Sequence, residues 1–280
     1  MAEPTEPDPP VLSRQHAAGA PSARGLLFTV LGEYVLPSGQ PAWTATFLDA
    51  LGRLGVEEKA ARQALMRTAG DGWLASERVG RRTRWQLTDD AVTLLTDGTA
   101  RIFSFTSTQD EWDGRWVTVH ARVPERDRAT RHLLRTRLAW AGFGSPSPAL
   151  WVSTHTERRA AAEQVLAETG LLGEALVFEG TLTAGQGPAE LVAAAWDIAS
   201  IEAAYRQFIA DFSGRTAADP LARCTELVHA WRRFPWVDPA LPPQFLPRDW
   251  HGRTAGALFA ERHSRWADAA RAEWGRLDSA

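Results

Sequence analysis

One stretch of the chain, residues 56–88, changes its apolar period from that of a helix to that of a strand. In its first half, small and apolar side chains recur at helical spacing, and the opposite side is polar. After Gly70-Asp71-Gly72 the period becomes two, so that Trp85 and Leu87 share one face. The stretch therefore predicts a helix, a turn and a two-stranded hairpin whose tip is residues 79–82.

A polar helix face followed by an arginine-rich hairpin is typical of a winged helix-turn-helix. Arginine and glutamine side chains on the helix can pair with base edges in the major groove. Arginines on the wing can neutralise phosphates or enter the minor groove. The predicted DNA-binding residues are Lys59, Arg62, Gln63, Met66, Arg67, Arg78, Gly80, Arg81, Arg82 and Arg84.

The positive charge of this stretch is local. No acidic residue lies between Arg78 and Thr88, in a chain whose formal net charge is -3. A solvated helix beside an edge hairpin is the alternative, because Lys59 is the only lysine among 31 basic residues and arginine-rich surfaces are then common. DNA contact is therefore predicted for this patch and not for the chain as a whole.

Two helices are predicted before this stretch. The first covers residues 23–36, and the second begins with Thr44 as its N-cap and ends at Gly55. After the hairpin a helix starts at Asp89 or Asp90, in one piece or in two pieces separated at Gly98. We therefore predict a DNA-binding domain over residues 23–108, preceded by an acidic, proline-rich, disordered tail over residues 1–22.

A second domain is predicted over residues 109–182. Its elements are a strand over 115–123, a helix over 125–141 with Ala129, Leu133 and Leu138 inward, a strand over 149–153, a helix over 156–169 and a strand over 174–179. There is room for a further strand near Gly142. This order predicts a ferredoxin-like α/β layer.

The third predicted domain, residues 189–280, is helical and is expected to serve dimerisation and sensing. Its elements are one helix over 189–213, a helix from Pro220 to Phe234 capped by Asp219, an extended proline-rich segment and a helix over 254–277. The predicted fold is thus α+β and multidomain, with an N-terminal winged helix-turn-helix, a central ferredoxin-like α/β domain and a C-terminal α-helical domain.

Three runs of the chain resemble the PaaX family of bacterial transcriptional repressors. They are AARQALMR…DGWLASERVGRRTRWQLTD in the first domain, RWVTVHARVPERDRATRHLLRTRLAWAGFG…ALWVS in the second and RRFPWVDPALPPQFLPRDWHG in the third. The proline-rich run is the most specific, because composition alone would hardly generate it. The resemblance covers residues 24–275, and one departure is Trp85, where the family usually has tyrosine.

The resemblance implies a homodimeric repressor that binds a palindromic operator and leaves it when an aryl-acyl-CoA arrives. In the best-known members of the family this inducer is phenylacetyl-CoA, and the operon serves aromatic-acid catabolism of the phenylacetate type. Five residues fall on the family's DNA-reading pattern: Arg62, Arg67, Gly80, Arg81 and Arg82. No cofactor and no enzymatic activity are expected.

An acyl-CoA effector needs cations for its phosphates and aromatic walls for its rings. Arginines or histidines adjacent to aromatic residues offer both, and the candidate ligand-binding residues are Arg115, Trp116, Arg131, His132, Arg232, Arg233 and Trp236. The alternative is structural, because arginine beside tryptophan is frequently a stacked surface pair.

The middle domain also resembles the small ferredoxin-like nucleases associated with CRISPR systems, so a metal-dependent nuclease is the alternative function. Such enzymes need an acidic residue at the end of the first strand to hold a divalent cation. Val123 and Pro124 occupy that place, and Glu125 and Asp127 are explained as residues that cap the following helix. We therefore predict no catalytic and no metal-binding residues.

The remaining composition excludes several other classes. Cys224 is the single cysteine, which rules out an internal disulfide framework, fits a reducing cytoplasm and predicts a small core residue. Seven histidines show no His-x₃-His or Cys/His pairing, so the sequence predicts no zinc site. The longest apolar runs fall below the roughly 20 residues that span a bilayer. A cytoplasmic protein without a membrane partner is expected.

Overall fold

The computed structural model describes residues 22–105, 112–214 and 219–279. It contains helices and two small sheets, so the mixed α and β class is confirmed. The predicted tail lies outside the described residues apart from Ser22. None of the described helices combines the length and the apolar character that crossing a membrane requires.

The helices and strands follow one another along the chain in this order: α1 (Ala23–Val30), a π-helical turn (Leu31–Val35), α2 (Leu36–Ser38), β1 (Ala42–Trp43), α3 (Thr44–Arg53), α4 (Glu58–Gly70), β2 (Leu74–Val79), β3 (Arg82–Leu87), α5 (Asp89–Ser104), β4 (Arg115–His120), α6 (Arg128–Trp140), β5 (Gly144–Ser147), β6 (Leu150–Ser153), a 3₁₀ turn (Thr156–Arg158), α7 (Arg159–Glu168), β7 (Leu176–Thr181), α8 (Pro188–Ala195), α9 (Ile198–Ser213), α10 (Pro220–Trp231), α11 (Phe234–Val237), a second 3₁₀ turn (Pro243–Phe245) and α12 (Gly252–Ser279).

The chain divides into two compact units. Unit 1 comprises Met1–Ser104, Gly214–Arg233 and Leu258–Ala280, and unit 2 comprises Phe105–Ser213 and Phe234–Ala257. The division into three domains made from the sequence stays a prediction.

Helix α3 agrees with the prediction at its C-terminal end but not at its N-terminal end. Gly55 follows the C-cap of α3 with a φ of 79°, the left-handed conformation that glycine adopts without strain. The N-cap assignment of Thr44 is wrong by one residue. Trp43 has the extended conformation of the cap because it pairs with Arg84 in the sheet, and Thr44 begins the helix.

The sheet of unit 1 has the order β1-β3-β2 and is antiparallel throughout. Val79 pairs with Arg82, which leaves Gly80 and Arg81 as a two-residue loop and confirms the predicted hairpin tip. Gly80 has a φ of 63°, and Arg81 is not among the described residues with positive φ. A positive φ at the first loop residue alone is the pattern of a type II′ turn, which matches the twist of the flanking strands.

Helix α5 runs without a break through Gly98, so the two-piece alternative is wrong. A glycine inside a helix costs about 1 kcal/mol relative to alanine. Packing of Ala91, Leu94 and Leu95 against Phe28 and Trp73 offsets that cost.

The sheet of unit 2 has the order β5-β6-β4-β7, and every neighbouring pair is antiparallel. Along the chain its elements run strand, helix, strand, strand, helix, strand. Strand β5 supplies the further strand for which the sequence left room near Gly142.

One face of this sheet is covered by α6 and α7. Val117 and Val119 of β4 pack there with Leu134 and Leu138 of α6. The inward assignment of Ala129 is wrong, because that residue is exposed. The helix begins at Arg128, and its core side is formed by positions 134 and 138, four residues apart.

On the other face, Trp116 and Val152 pack with Val192 of α8 and with Leu241. The single helix predicted over 189–213 is wrong, because the chain is extended at Trp196. The Trp196 ring lies so close to Gly144 that a Cβ atom there would meet it at 2.5 Å. Asp197 then caps α9 by accepting the N–H of Ser200 at 3.0 Å.

The prediction that the proline-rich segment is extended is wrong in part, because the segment contains α11 and a 3₁₀ turn. Ala240 within it has a φ of 55°. The Asp238 carboxylate holds this strained residue by accepting its N–H at 2.7 Å, and it also accepts the hydroxyl of Tyr205 at 2.6 Å. Burial raises the pKa of Asp238 to about 7. The two hydrogen bonds to Asp238, from the Ala240 N–H and the Tyr205 hydroxyl, stabilise the segment in place of strand hydrogen bonds.

Asp278, near the end of α12, supports the start of α3. Its Oδ1 accepts the backbone N–H of Trp43 at 2.8 Å and the hydroxyl of Thr46 at 2.7 Å. We expect Asp278→Ala to lower the free energy of unfolding by about 1–3 kcal/mol, because two partly buried donors lose a charged acceptor. Urea denaturation measures this change. Asp278→Asn is the matched control, since its amide oxygen still accepts, and a loss as large as that of the alanine variant would contradict the argument.

Candidate nucleic-acid interface

Helix α4 has one buried side and one exposed side. Ala61, Ala64, Leu65 and Thr68 are buried, and the helix contacts α1, α3 and β2. The exposed side carries the five residues predicted from the sequence: Lys59, Arg62, Gln63, Met66 and Arg67. Met66 is 63% exposed although it is apolar, and it lies in the middle of this set. The polar side predicted from the helical period is therefore solvent-facing.

The β2–β3 hairpin presents its arginines beyond α4. Arg78, Gly80, Arg81 and Arg82 are all exposed. The Nε of Arg78 donates to the carbonyl of Gly80 at 3.3 Å, which places its guanidinium group beside the loop. We use the term basic face for the exposed basic side chains of α4 and this hairpin, which are Lys59, Arg62, Arg67, Arg78, Arg81, Arg82 and the half-exposed Arg84.

Thr44 and Trp43, which are not among the predicted DNA-binding residues, hold the hairpin in place. The indole N–H of Trp85 donates to the Thr44 hydroxyl at 2.8 Å, and that hydroxyl donates to the carbonyl of Thr83 at 3.0 Å. The guanidinium of Arg82 lies 4.3 Å above the ring of Trp43. Trp43 lies in strand β1, which has only two residues. Two residues are too few to show the alternating pattern by which a strand is predicted.

The charges of the basic face are only partly neutralised within the protein. From Lys59 to Thr88 the chain has seven basic and two acidic residues. Arg62 pairs with Glu58 at 2.7 Å, and Arg84 pairs with Glu77 at 2.7 Å. Among the described residues no carboxylate pairs with the other members, which are Lys59, Arg67, Arg78, Arg81 and Arg82. Exposed ion pairs contribute about 0–1 kcal/mol, so the two that exist can be exchanged for other anions.

The candidate ligand-binding residues are divided between the two units. Arg232 and Arg233 belong to unit 1, and the other five belong to unit 2. In unit 2, Trp116 packs on the sheet face opposite to α6, which carries Arg131 and His132. A role for any of these residues in binding a ligand stays a prediction.

The side chains of these candidates have structural contacts. Arg131 donates to the carbonyl of Pro124 at 2.7 Å, Arg115 pairs with Glu179 at 3.6 Å, and Trp236 lies 6.0 Å from Trp140 between ring centres. His132 is exposed. Trp116 is buried, and within the described residues its indole N–H has no hydrogen-bond partner.

The end of β4, where a nuclease would need an acid, has a different arrangement. Asp127 accepts the N–H of Thr130 at 3.0 Å and caps α6, as predicted. Hydrogen bonds from Thr130 lower the pKa of Asp127, which is the effect of a capping carboxylate. In the described part of unit 2, no three His, Cys, Asp or Glu side chains place their ligand atoms within 4.8 Å of one another.

Family models and a known relative match nearly the whole chain. The family models described as PaaX-like protein, PaaX protein central Cas2-like domain and PaaX-like protein C-terminal domain match residues 22–91, 109–192 and 196–276. The transcriptional repressor PaaX of Escherichia coli (strain K12) is 30% identical over 272 residues, which span 91% of this chain and 84% of that protein.

Among solved structures, the uncharacterized protein Rv0674 from Mycobacterium tuberculosis has a TM-score of 0.57 and 20% sequence identity. The match covers 92% of this chain and 99% of that chain. At this identity the likeness concerns the fold alone.

Arg232 belongs to a partly buried polar network in unit 1. Its NH1 donates to the Gly25 carbonyl at 3.1 Å and to the Thr29 hydroxyl at 3.0 Å, and His229 Nδ1 lies 3.0 Å from the same hydroxyl. Burial lowers the pKa of Arg232 to about 10. Burial, with the charges of Arg232 and Arg233, lowers the pKa of His229 to about 4. His229 is therefore neutral in the folded protein at pH 7.

This depressed pKa makes stability depend on pH. Between pH 4 and 6.5 the unfolded chain binds a proton at His229 that the folded chain does not, so stability falls as the pH drops through this window. Relative to His229→Gln, we expect the wild type to lose about 2 kcal/mol of unfolding free energy from pH 7.5 to pH 5. Urea denaturation at both pH values measures the difference. If the unfolding free energies of the two proteins differed by the same amount at pH 7.5 and at pH 5, the pKa of His229 would not be lowered in the folded protein.

Proposed function

Because the chain belongs to the PaaX family, we propose that it is a transcriptional repressor that binds operator DNA through the basic face of α4 and the β2–β3 hairpin. The observation that carries this proposal is the outward orientation of these arginines on a slightly acidic chain, five of the seven basic side chains being without a carboxylate partner among the described residues. A local positive surface of this kind attracts the phosphate backbone.

In this proposal α3, the turn at Gly55, α4 and the hairpin form a winged helix-turn-helix. Helix α4 enters the major groove, and the hairpin follows the adjacent phosphates. The contacts of α4 with α1, α3 and β2 support it, since they leave its polar side free for DNA. A homodimer would present two such helices to half-sites about one helical turn apart, or a multiple of that.

In this proposal Glu58 affects how strongly Arg62 discriminates between bases. Its carboxylate accepts two hydrogen bonds from Arg62, at 2.9 and 2.7 Å, and holds the guanidinium along the helix in the free protein. Because this exposed pair is weak, base edges can draw Arg62 away from it. At an incorrect sequence no base edge offers Arg62 a hydrogen bond in place of the Glu58 carboxylate. Separating Arg62 from Glu58 therefore lowers the affinity for that sequence.

Unit 2 is proposed to contain a ferredoxin-like layer without nuclease activity, and the helical segments from residue 189 onward are proposed to serve dimerisation and sensing. The strand and helix order of β4 to β7 supports the first assignment. We further propose an aryl-acyl-CoA effector and an aromatic-acid catabolic operon of the phenylacetate type. To release the operator, the effector must bind the free form more tightly than the DNA-bound form by a few kcal/mol.

The first test concerns base readout by Arg62. On an operator selected by the wild type from a randomised duplex library, Arg62→Ala should lose about 1–3 kcal/mol per half-site and accept more sequences. Glu58→Ala, which removes the partner of Arg62, should keep the affinity for the selected duplex and raise the affinity for random duplexes. Fluorescence anisotropy on selected and random duplexes measures both. An equal loss for Arg62→Ala on both duplexes would place that arginine on phosphates only.

The second test concerns the hairpin. Arg81→Ala and Arg82→Ala should weaken binding to all sequences and reduce the slope of log affinity against log salt by about one each. Arg206→Ala is the control, because this exposed arginine of α9 lies outside the basic face. An unchanged slope would place the hairpin off the DNA. Cleavage of the labelled duplex in Mg²⁺ or Mn²⁺ would favour the nuclease alternative over the repressor.

A further inference from the structure

Three side chains that can bind a metal meet in the interior of unit 1. Glu33 comes from the π-helical turn, Cys224 from α10 and His263 from α12. Their ligand atoms all lie within 4.8 Å of one another. Glu33 is 4% exposed and Cys224 is fully buried. Glu33 and His263 are 230 positions apart, so no local spacing motif could reveal the group.

The backbone is irregular where Glu33 enters this group. The first helix widens into a π-helical turn over Leu31–Val35, and both Glu33 and Tyr34 are buried there. Turns of this kind are rare and occur frequently at functional sites. Taking a carboxylate out of water is costly unless cations or strong donors compensate it. The position of Glu33 therefore requires a positively charged partner.

The described structure supplies part of that compensation. Arg271 NH2 donates to Glu33 Oε1 at 3.0 Å, and His263 Nε2 lies 3.0 Å from the same oxygen. These contacts explain a buried glutamate beside a histidine and an arginine. They do not require the thiol of Cys224. Full burial fits the small core residue predicted for Cys224, but burial alone does not account for the convergence of this thiol with two other side chains of metal-ligating type.

We propose that Glu33, Cys224 and His263 bind a zinc-class divalent cation. Sulfur, imidazole and carboxylate are the ligand types of Zn²⁺, whereas Mg²⁺ and Ca²⁺ prefer oxygen ligands alone. Three protein ligands leave a fourth tetrahedral position for water. Spacing along the chain could not indicate this group, because its three side chains converge only through folding.

Charge and proton balance fit this site. On binding, Cys224 releases its thiol proton to solvent, and the thiolate and carboxylate together neutralise the dication. His263 exchanges its contact with Glu33 for the metal, with its ring neutral. Arg271 then remains as a donor to the carboxylate, the outer-shell role that orients metal ligands in other proteins.

Co²⁺ provides a spectroscopic test, because it takes the ligands of Zn²⁺ and absorbs in the near ultraviolet when a thiolate coordinates it. Tag-free, full-length protein is treated with a chelator, dialysed and titrated with Co²⁺. We expect saturation at one equivalent with a thiolate-to-cobalt absorption band, displacement of Co²⁺ by Zn²⁺, and a higher melting temperature with either ion. Lack of the thiolate band in the wild type would overturn the proposal without reference to any variant.

Variants then identify the ligands. Cys224→Ser should abolish the band and weaken Zn²⁺ binding at least about 100-fold, the upper end of what loss of an outer-shell partner costs. His263→Gln should weaken binding to a similar extent. The matched control is His251→Gln, since His251 also pairs with a glutamate, Glu202, at 2.5 Å but has no cysteine in its group. Zn²⁺ affinity unchanged in Cys224→Ser, or lost equally in His251→Gln, would contradict the site.

Discussion

The hydrogen bond from the indole of Trp85 to the hydroxyl of Thr44 fixes which side of the β2–β3 hairpin is buried. Thr44 passes its own hydrogen to the carbonyl of Thr83, so the buried polar groups are satisfied. With Trp85 held inward, the alternating residues Arg82, Arg84 and Gln86 must lie on the opposite side. The positive character of the outer surface therefore depends on a contact made behind it, at the first turn of α3.

Features that depend on neighbouring residues could be predicted from the sequence. The hairpin tip, Gly55 after α3 and the Asp219 cap with Pro220 all rest on local conformational preferences, and the structure has them. Features chosen by distant contacts were missed. Trp196 ends α8 against Gly144, more than fifty positions away in the chain, and its helical spacing gave no sign of this.

The same distinction applies to the functional residues. Alternation and helical period identified which arginines of α4 and the hairpin are exposed, because exposure follows from the face that a side chain occupies. Whether an arginine is paired depends on the register, as Glu77 opposite Arg84 shows. Arg232 is a candidate ligand-binding residue in the sequence, and in the structure its guanidinium donates to Gly25 and Thr29. No local pattern in the sequence indicates such an internal contact.

The two-residue loop at Gly80 and Arg81 restricts how this hairpin can change length during evolution. Its strands have six residues each, paired one to one from Val79 and Arg82 to Leu74 and Leu87. Inserting one residue in one strand reverses every side chain beyond it or requires a bulge. Growth that keeps arginines outward adds two residues to each strand, and each such step moves the tip about 7 Å farther along. Among relatives, hairpins of different reach should differ by even numbers of residues per strand.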